Sequence, residues 1–185
     1  ARASLDLEER VRDLLVVAGL QEIITYRLTT PGREAALLPG KQAVTDVPYV
    51  QIANPISADR VVMRRTLLPG LMEVMAQNAR LRERLSFFEI GPVYLPTGGK
   101  ELPTEPRRLA IGLAGRIAPA SWRDADPSRA DFFDLKGVVE ALLAGLHLRT
   151  STFEPLAHPT FAPGRTVRLL VDGQEVGILG EIYSK

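Results

Sequence analysis

Cysteine is absent from this sequence of 185 residues, and histidine occurs only twice. Without thiols the chain cannot form disulfides, thiolate zinc sites, iron–sulfur clusters or a cysteine nucleophile. Neither His147 nor His158 has a carboxylate or a second histidine at ligand spacing, so we predict no metal site. Phosphate-binding loops and serine nucleophile motifs are missing too, and no pair of carboxylates stands out as catalytic. The residues alone therefore predict neither a catalytic group nor a cofactor site.

Long apolar runs and an excess of charge of either sign are also missing. The 23 Lys and Arg residues against 22 Asp and Glu residues give a net charge of +1, so the chain has no global attraction to nucleic acid. Apolar runs such as Val16–Leu20 are much shorter than the roughly 20 residues of a membrane span. The sequence does not open with a basic segment followed by an apolar stretch, so we predict no secretory signal. We expect a cytoplasmic protein that does not enter a membrane.

Periodicity of the apolar residues predicts an α+β fold, an antiparallel β-sheet flanked by helices. The length suits one domain over residues 1–185. The chain begins at Ala1 rather than Met, and we expect a fragment of a longer protein. The predicted elements are helices over Ala3–Ala18, Thr66–Arg84 and Phe132–Leu146 (with Asp131 as cap), a strand over Leu20–Leu28, and a hairpin turning at Asp172-Gly173.

Arginines cluster in two places, and each cluster has two interpretations. The first holds Arg60, Arg64 and Arg65, and the second holds Arg80, Arg82 and Arg84. Guanidinium groups suit phosphate, so the clusters could bind nucleic acid. We favour a solvated face with salt bridges to residues such as Glu83 and Glu101, because no aromatic residues alternate with the arginines.

Several motifs together resemble the β subunit of bacterial phenylalanyl-tRNA synthetase. They stand in the same order as in that family and span nearly the whole chain. One departure is Ala162, where the family often has His. The motifs are Asn54-Pro55-Ile56-Ser57, Val61–Leu71, Phe87–Tyr94, Asp131–Gly137 and Pro163-Gly164-Arg165.

The resemblance implies a class II aminoacyl-tRNA synthetase-like fold without a working active site. The stretch from Val11 to Leu28 is similar to the first class II motif, with Tyr26 where a proline would stand. In the second motif, Leu95 occupies the place of the arginine that grips ATP, and Thr97 that of a glutamate. Leucine cannot stabilise charge on a phosphate. The third motif is not found.

From this resemblance we expect a non-catalytic domain that supports assembly with the α subunit. The first class II motif builds dimer interfaces in this family, so the expected contact residues are Val11, Leu14, Leu15, Ile24 and Tyr26. The isolated piece could also self-associate through that surface. The parent complex would be an ATP-dependent phenylalanine–tRNA ligase using ATP and magnesium, and this piece would hold no cofactor.

Two alternatives stay open. The domain could contact tRNA(Phe) through Arg80, Arg82 and Arg84, although the near-zero net charge argues against that as its main role. It could also be an adenylate-forming class II ligase with an unusual active site, which would require that this piece alone binds ATP.

Overall fold

Four helices and eight strands make up the described part of the chain. The structure is a computed structural model that describes residues 2–37, 48–98, 101–118, 122, 128–148 and 150–182. The helices are α1 (Arg2–Val17), α2 (Pro31–Ala35), α3 (Leu68–Asn78) and α4 (Phe132–Gly145). The strands are β1 (Gln21–Glu22), β2 (Leu28–Thr29), β3 (Val62–Met63), β4 (Arg84–Pro92), β5 (Arg107–Gly115), β6 (Ser151–Pro155), β7 (Phe161–Val171) and β8 (Gln174–Ile182).

The strands form three small sheets. In the first, β4 lies between β1, which is parallel to it, and β5, which is antiparallel. A two-stranded sheet joins β2 to β3, and β6, β7 and β8 form an antiparallel meander. Among the described residues, β5 and β8 are therefore edge strands of their sheets.

Helices cover both faces of the β4–β5 pair. Successive side chains of a strand point to opposite faces, so β4 presents apolar side chains to helices on each side. On one face, Leu85 and Phe87 of β4 pack with Leu71 and Met75 of α3. On the other face, Phe88 packs with side chains of α1 and α4. A third cluster joins α4 to the meander through Leu169 and Leu179, among others. The sheet between α3 and the α1–α4 pair is the frame on which the site described below is built.

The α+β class is confirmed, and so are two local signals. Asp131 caps α4, accepting hydrogen bonds from the backbone N–H groups of Phe133 and Asp134, and the Asp134 side chain bonds back to the cap. The hairpin turns where expected, with φ of 50° at Asp172 and 78° at Gly173. Two successive positive φ angles are what a tight two-residue hairpin turn requires.

Other expectations need correction. The predicted single antiparallel sheet is divided into three, and one of its pairs is parallel. The helix expected over Thr66–Arg84 spans only Leu68–Asn78, because Arg84 already pairs with Gly115 in the sheet. The strand expected over Leu20–Leu28 survives only at its two ends, as β1 and β2. None of the helices in the described ranges is long and apolar enough to cross a membrane.

Candidate subunit interface

The segment that links β1 to β2 carries exposed apolar side chains. Gly19 adopts φ of +84° and ends α1, which turns the chain into β1. The backbone N–H of Ile23 then donates to the carbonyl of Phe88 at 2.8 Å, and beyond it the chain leaves the sheet ladder. The side chains of Ile24 and Tyr26 are 89% and 67% exposed. We call residues 24–26 the ridge.

Thr25, at the centre of the ridge, points the other way and is held by Glu89. Its hydroxyl donates to Oε2 of Glu89 at 2.7 Å, and its backbone N–H donates to Oε1 at 3.2 Å. Glu89 itself is only 1% exposed. One residue thus anchors the ridge to the sheet while its two neighbours face outward.

A buried arginine completes this anchor. Nη1 of Arg64 lies 2.7 Å from Oε1 of Glu89 and 3.0 Å from the hydroxyl oxygen of Thr25, and Nε donates to the carbonyl of Pro92 at 3.0 Å. A Cβ at Gly91 would collide with this guanidinium, and one at Gly70 would lie 2.5 Å from the Thr25 hydroxyl. Glycines at these two positions make room for the network.

A second ionic cluster lies beside the first. Arg65 donates to Oε1 of Glu34 at 2.9 Å and to the Tyr49 hydroxyl at 3.0 Å, and its guanidinium lies 3.9 Å above the ring of Tyr49. The Tyr49 hydroxyl donates to Glu34 at 2.7 Å. Burial and this bond to Glu34 raise the pKa of Tyr49 to about 12. Both arginines therefore form salt bridges, as the favoured interpretation predicts, but with Glu89 and Glu34 in a buried setting, so the predicted solvated face is wrong for Arg64 and Arg65.

Next to the ridge, Arg60 and Tyr26 form a stacked pair. The Arg60 guanidinium lies 3.6 Å from the centroid of the Tyr26 ring. A cleft of about 310 Å³ opens beside the pair and is bordered by the ridge, by Arg64 and Arg65, and by one side of α3. The exposed surface here thus combines apolar groups with a cation.

The expected contact residues divide into two groups. Leu15 is 1% exposed and belongs to the core cluster of α1, and Val11 and Leu14 pack against that cluster. These three residues contact other parts of this chain, whereas Ile24 and Tyr26 face solvent. On α1 itself, the exposed apolar residues are Leu5, Leu7, Val16 and Val17. Leu7 lies on the apolar stripe that the periodicity of the helix predicts and is exposed nonetheless. Leu5, Val16 and Val17 lie off that stripe, and this position could have singled them out.

The second arginine cluster is exposed. Arg80 and Arg82 lie in the turn after α3, and Arg84 begins β4. No carboxylate among the described residues forms an ion pair with any of the three. The Glu83 between them pairs with Arg116, whose Nε lies 3.6 Å from its carboxylate.

The positions that resemble the second class II motif lie just after β4. Leu95 forms an isolated bridge with Thr104, and the Thr97 hydroxyl donates to the carbonyl of Leu102 at 3.2 Å. Neither side chain offers a cation for a phosphate. The described residues also contain no group of three potential metal ligands close enough to hold an ion.

A groove of about 1010 Å³ runs between the two larger sheets. It is lined by β5 and β8 and by residues of α3 and α4. Several of its apolar side chains remain partly exposed, among them Leu109, Ile178 and Ile182, at 38%, 38% and 40%.

Comparison with solved structures identifies the class of the fold. Two pyrrolysyl-tRNA synthetase structures from Desulfitobacterium hafniense match with TM-scores of 0.67 and 0.65 at 19% and 20% sequence identity. The matches cover 95% and 92% of this chain and 57% and 56% of those chains. The fold is thus that of a class II synthetase-like domain.

Sequence comparison identifies the family. Residues 2–185 match the family described as the phenylalanyl tRNA synthetase beta chain CLM domain, and the chain belongs to that family. The phenylalanine–tRNA ligase beta subunits of Symbiobacterium thermophilum and Syntrophus aciditrophicus are 42% and 38% identical over 93% and 96% of this chain. The chain spans only 19% and 22% of the length of these curated relatives.

Proposed function

We propose that this domain performs no chemistry and binds the α subunit of phenylalanine–tRNA ligase, supporting assembly of the enzyme in the cytoplasm. The observation that carries the proposal is the ridge, whose Ile24 and Tyr26 side chains are exposed yet stand on a buried, hydrogen-bonded base. Exposed apolar groups on a rigid support are typical of an interaction surface. The relatives are named beta subunits, which supports an α subunit as the partner.

The exposed apolar residues of α1 extend this surface. Val16 and Val17 are 53% and 86% exposed and stand just before the turn that leads to the ridge. Of the contact residues expected from the sequence, we retain Ile24 and Tyr26 as direct contacts. The other three, Val11, Leu14 and Leu15, would act indirectly, because they pack α1 onto the core.

The test is co-expression of the α subunit with the full-length natural polypeptide that carries this sequence, followed by native mass measurement. We expect Ile24→Asp and Tyr26→Asp together to abolish the complex, because each places a charge in a contact that excludes water. Phe133→Asp and Val176→Asp, at positions 73% and 56% exposed elsewhere on the surface, are the matched controls and should leave it intact. A complex that survives the ridge substitutions, or fails to form with the unaltered chain, would refute the proposal.

The exposed second arginine cluster supports another candidate function, contact with tRNA(Phe). Three cations within five residues can neutralise several phosphates, which makes affinity steeply dependent on salt. Filter binding of the complex with Arg80, Arg82 and Arg84 all changed to Gln tests this. We expect weaker binding and a shallower salt slope, and an unchanged slope would exclude the contact.

A further inference from the structure

The ridge lacks the hydrogen bonds that normally hold an extended segment in place. Within the described residues, the last backbone hydrogen bond before the ridge runs from the N–H of Ile23 to the carbonyl of Phe88. The next one after the ridge runs from the backbone N–H of Arg64 to the carbonyl of Arg27, at 2.9 Å. Between these two points, the backbone and hydroxyl of Thr25 bond to Glu89, and Arg64 donates to the same hydroxyl. The conformation of the ridge therefore depends on side chains of other elements.

A purely stabilising role does not explain this network. Replacement of a buried ion pair by apolar side chains of similar volume is often neutral or stabilising, because removing two charges from water costs about as much as their attraction returns. A directional network, in contrast, fixes one geometry. A segment that is ordered before binding loses less conformational entropy when the partner docks.

From these contacts we infer that Thr25, Glu89 and Arg64 are positioning residues that hold the ridge in its binding geometry before the α subunit arrives. This inference rests on the proposed function, since it gives the buried network a role in the same interface. Thr25 is the residue that connects the network to the ridge, because it lies between Ile24 and Tyr26 and bonds to both buried ionic groups.

The test compares two removal variants with a conservative one. Thr25→Val keeps the branched shape of the side chain but removes the hydroxyl. Thr25→Ala also removes the hydroxyl and makes no new contact to Gly70. Thr25→Ser retains the hydroxyl. Thr166→Val is the matched control, because Thr166 is also buried (4% exposed) and its hydroxyl donates to the carbonyl of Ala162 at 3.2 Å, in β7. All four variants are made in the full-length natural polypeptide. Because there are two removal variants, the test still gives a result if one of them fails to fold.

The first measurement is the rate at which the complex with immobilised α subunit dissociates. We expect about tenfold faster dissociation for Thr25→Val and Thr25→Ala, the loss associated with one or two hydrogen bonds. Thr25→Ser should restore the wild-type rate and Thr166→Val should not change it. The second measurement is hydrogen exchange of the free chain, in which the removal variants should exchange faster at residues 24–26.

The outcomes separate this inference from the proposed function. If the unaltered chain forms no complex, both are refuted. If it binds and the removal variants dissociate at the wild-type rate, only the positioning role is refuted. Equal acceleration by Thr166→Val would also refute it, since the effect would then reflect general destabilisation.

Discussion

Arg64 and Glu89, 25 residues apart in sequence, meet as an ion pair 2.7 Å long whose side chains are 6% and 2% exposed. The pair connects the residue directly after β3 to the centre of β4. Its burial makes the two residues interdependent, because either charge alone would be left without a partner in a region that excludes water.

We expect Glu89→Leu or Arg64→Met alone to destabilise the fold by about 3–5 kcal/mol, the cost of an uncompensated buried charge. The double variant Arg64→Met/Glu89→Leu should recover most of this stability. Urea denaturation of the three variants measures the coupling. Additive losses in the double variant would show that the two charges do not depend on each other.

Substitution of Gly115 tests how closely the backbones of β4 and β5 approach each other where β4 begins. Gly115 and Gly164 have φ of +79° and +74°, so alanine is strained at both positions by about 1–2 kcal/mol. A Cβ at Gly115 would in addition collide with the backbone carbonyl of Glu83, whereas a Cβ at Gly164 would meet nothing within 4 Å. We expect a clearly lower denaturation midpoint for Gly115→Ala than for Gly164→Ala, and equal midpoints would contradict the close approach.

Tyr49 should make the free energy of unfolding decrease at alkaline pH. Burial raises its pKa in the folded state from 10.0 to about 12, so its contribution is complete below pH 10 and is lost as the pH rises towards 12. The unfolded chain releases this proton first, which favours unfolding in that range. Tyr49→Phe should therefore reduce the loss of stability over this pH window in denaturant titrations, and Tyr26→Phe controls for the removal of a hydroxyl. Parallel profiles for wild type and Tyr49→Phe would contradict the shift.

Calorimetry should detect no binding of ATP or phenylalanine to this chain. Leu95 has no hydrogen-bond donor in its side chain, and the Thr97 hydroxyl already donates to a carbonyl. The α subunit, assayed under the same conditions, is the positive control. Tight ATP binding by the chain alone would favour the alternative of an active adenylate-forming enzyme.

The sequence predicted those features that depend on local chemistry. The Asp131 cap and the Asp172-Gly173 turn follow from side chains and backbone angles within a few residues, and the structure confirms both. The motifs similar to phenylalanyl-tRNA synthetase also led to the correct family, because they preserve order over the whole chain.

Features that depend on distant partners could not be predicted. Nothing near Arg64 in sequence indicates that Glu89 will neutralise it, so its cluster looked like a solvated face. The helix expected to reach Arg84 ends at Asn78 because strand pairing with Gly115 outweighs helix propensity. The resemblance names Leu15 and Ile24 together as contact residues, and only the packing of α1 on the sheet shows that Leu15 is buried while Ile24 is exposed.

The groove between β5 and β8 has a practical consequence for anyone who handles this domain alone. Within the described ranges both strands are sheet edges, and the stretch Leu109–Gly115 of β5 carries no charged side chain. Uncharged edges with apolar side chains are templates for pairing with another molecule. At high concentration the isolated domain is therefore expected to aggregate edge to edge, and a lysine at Leu109 would be a simple way to keep it in solution.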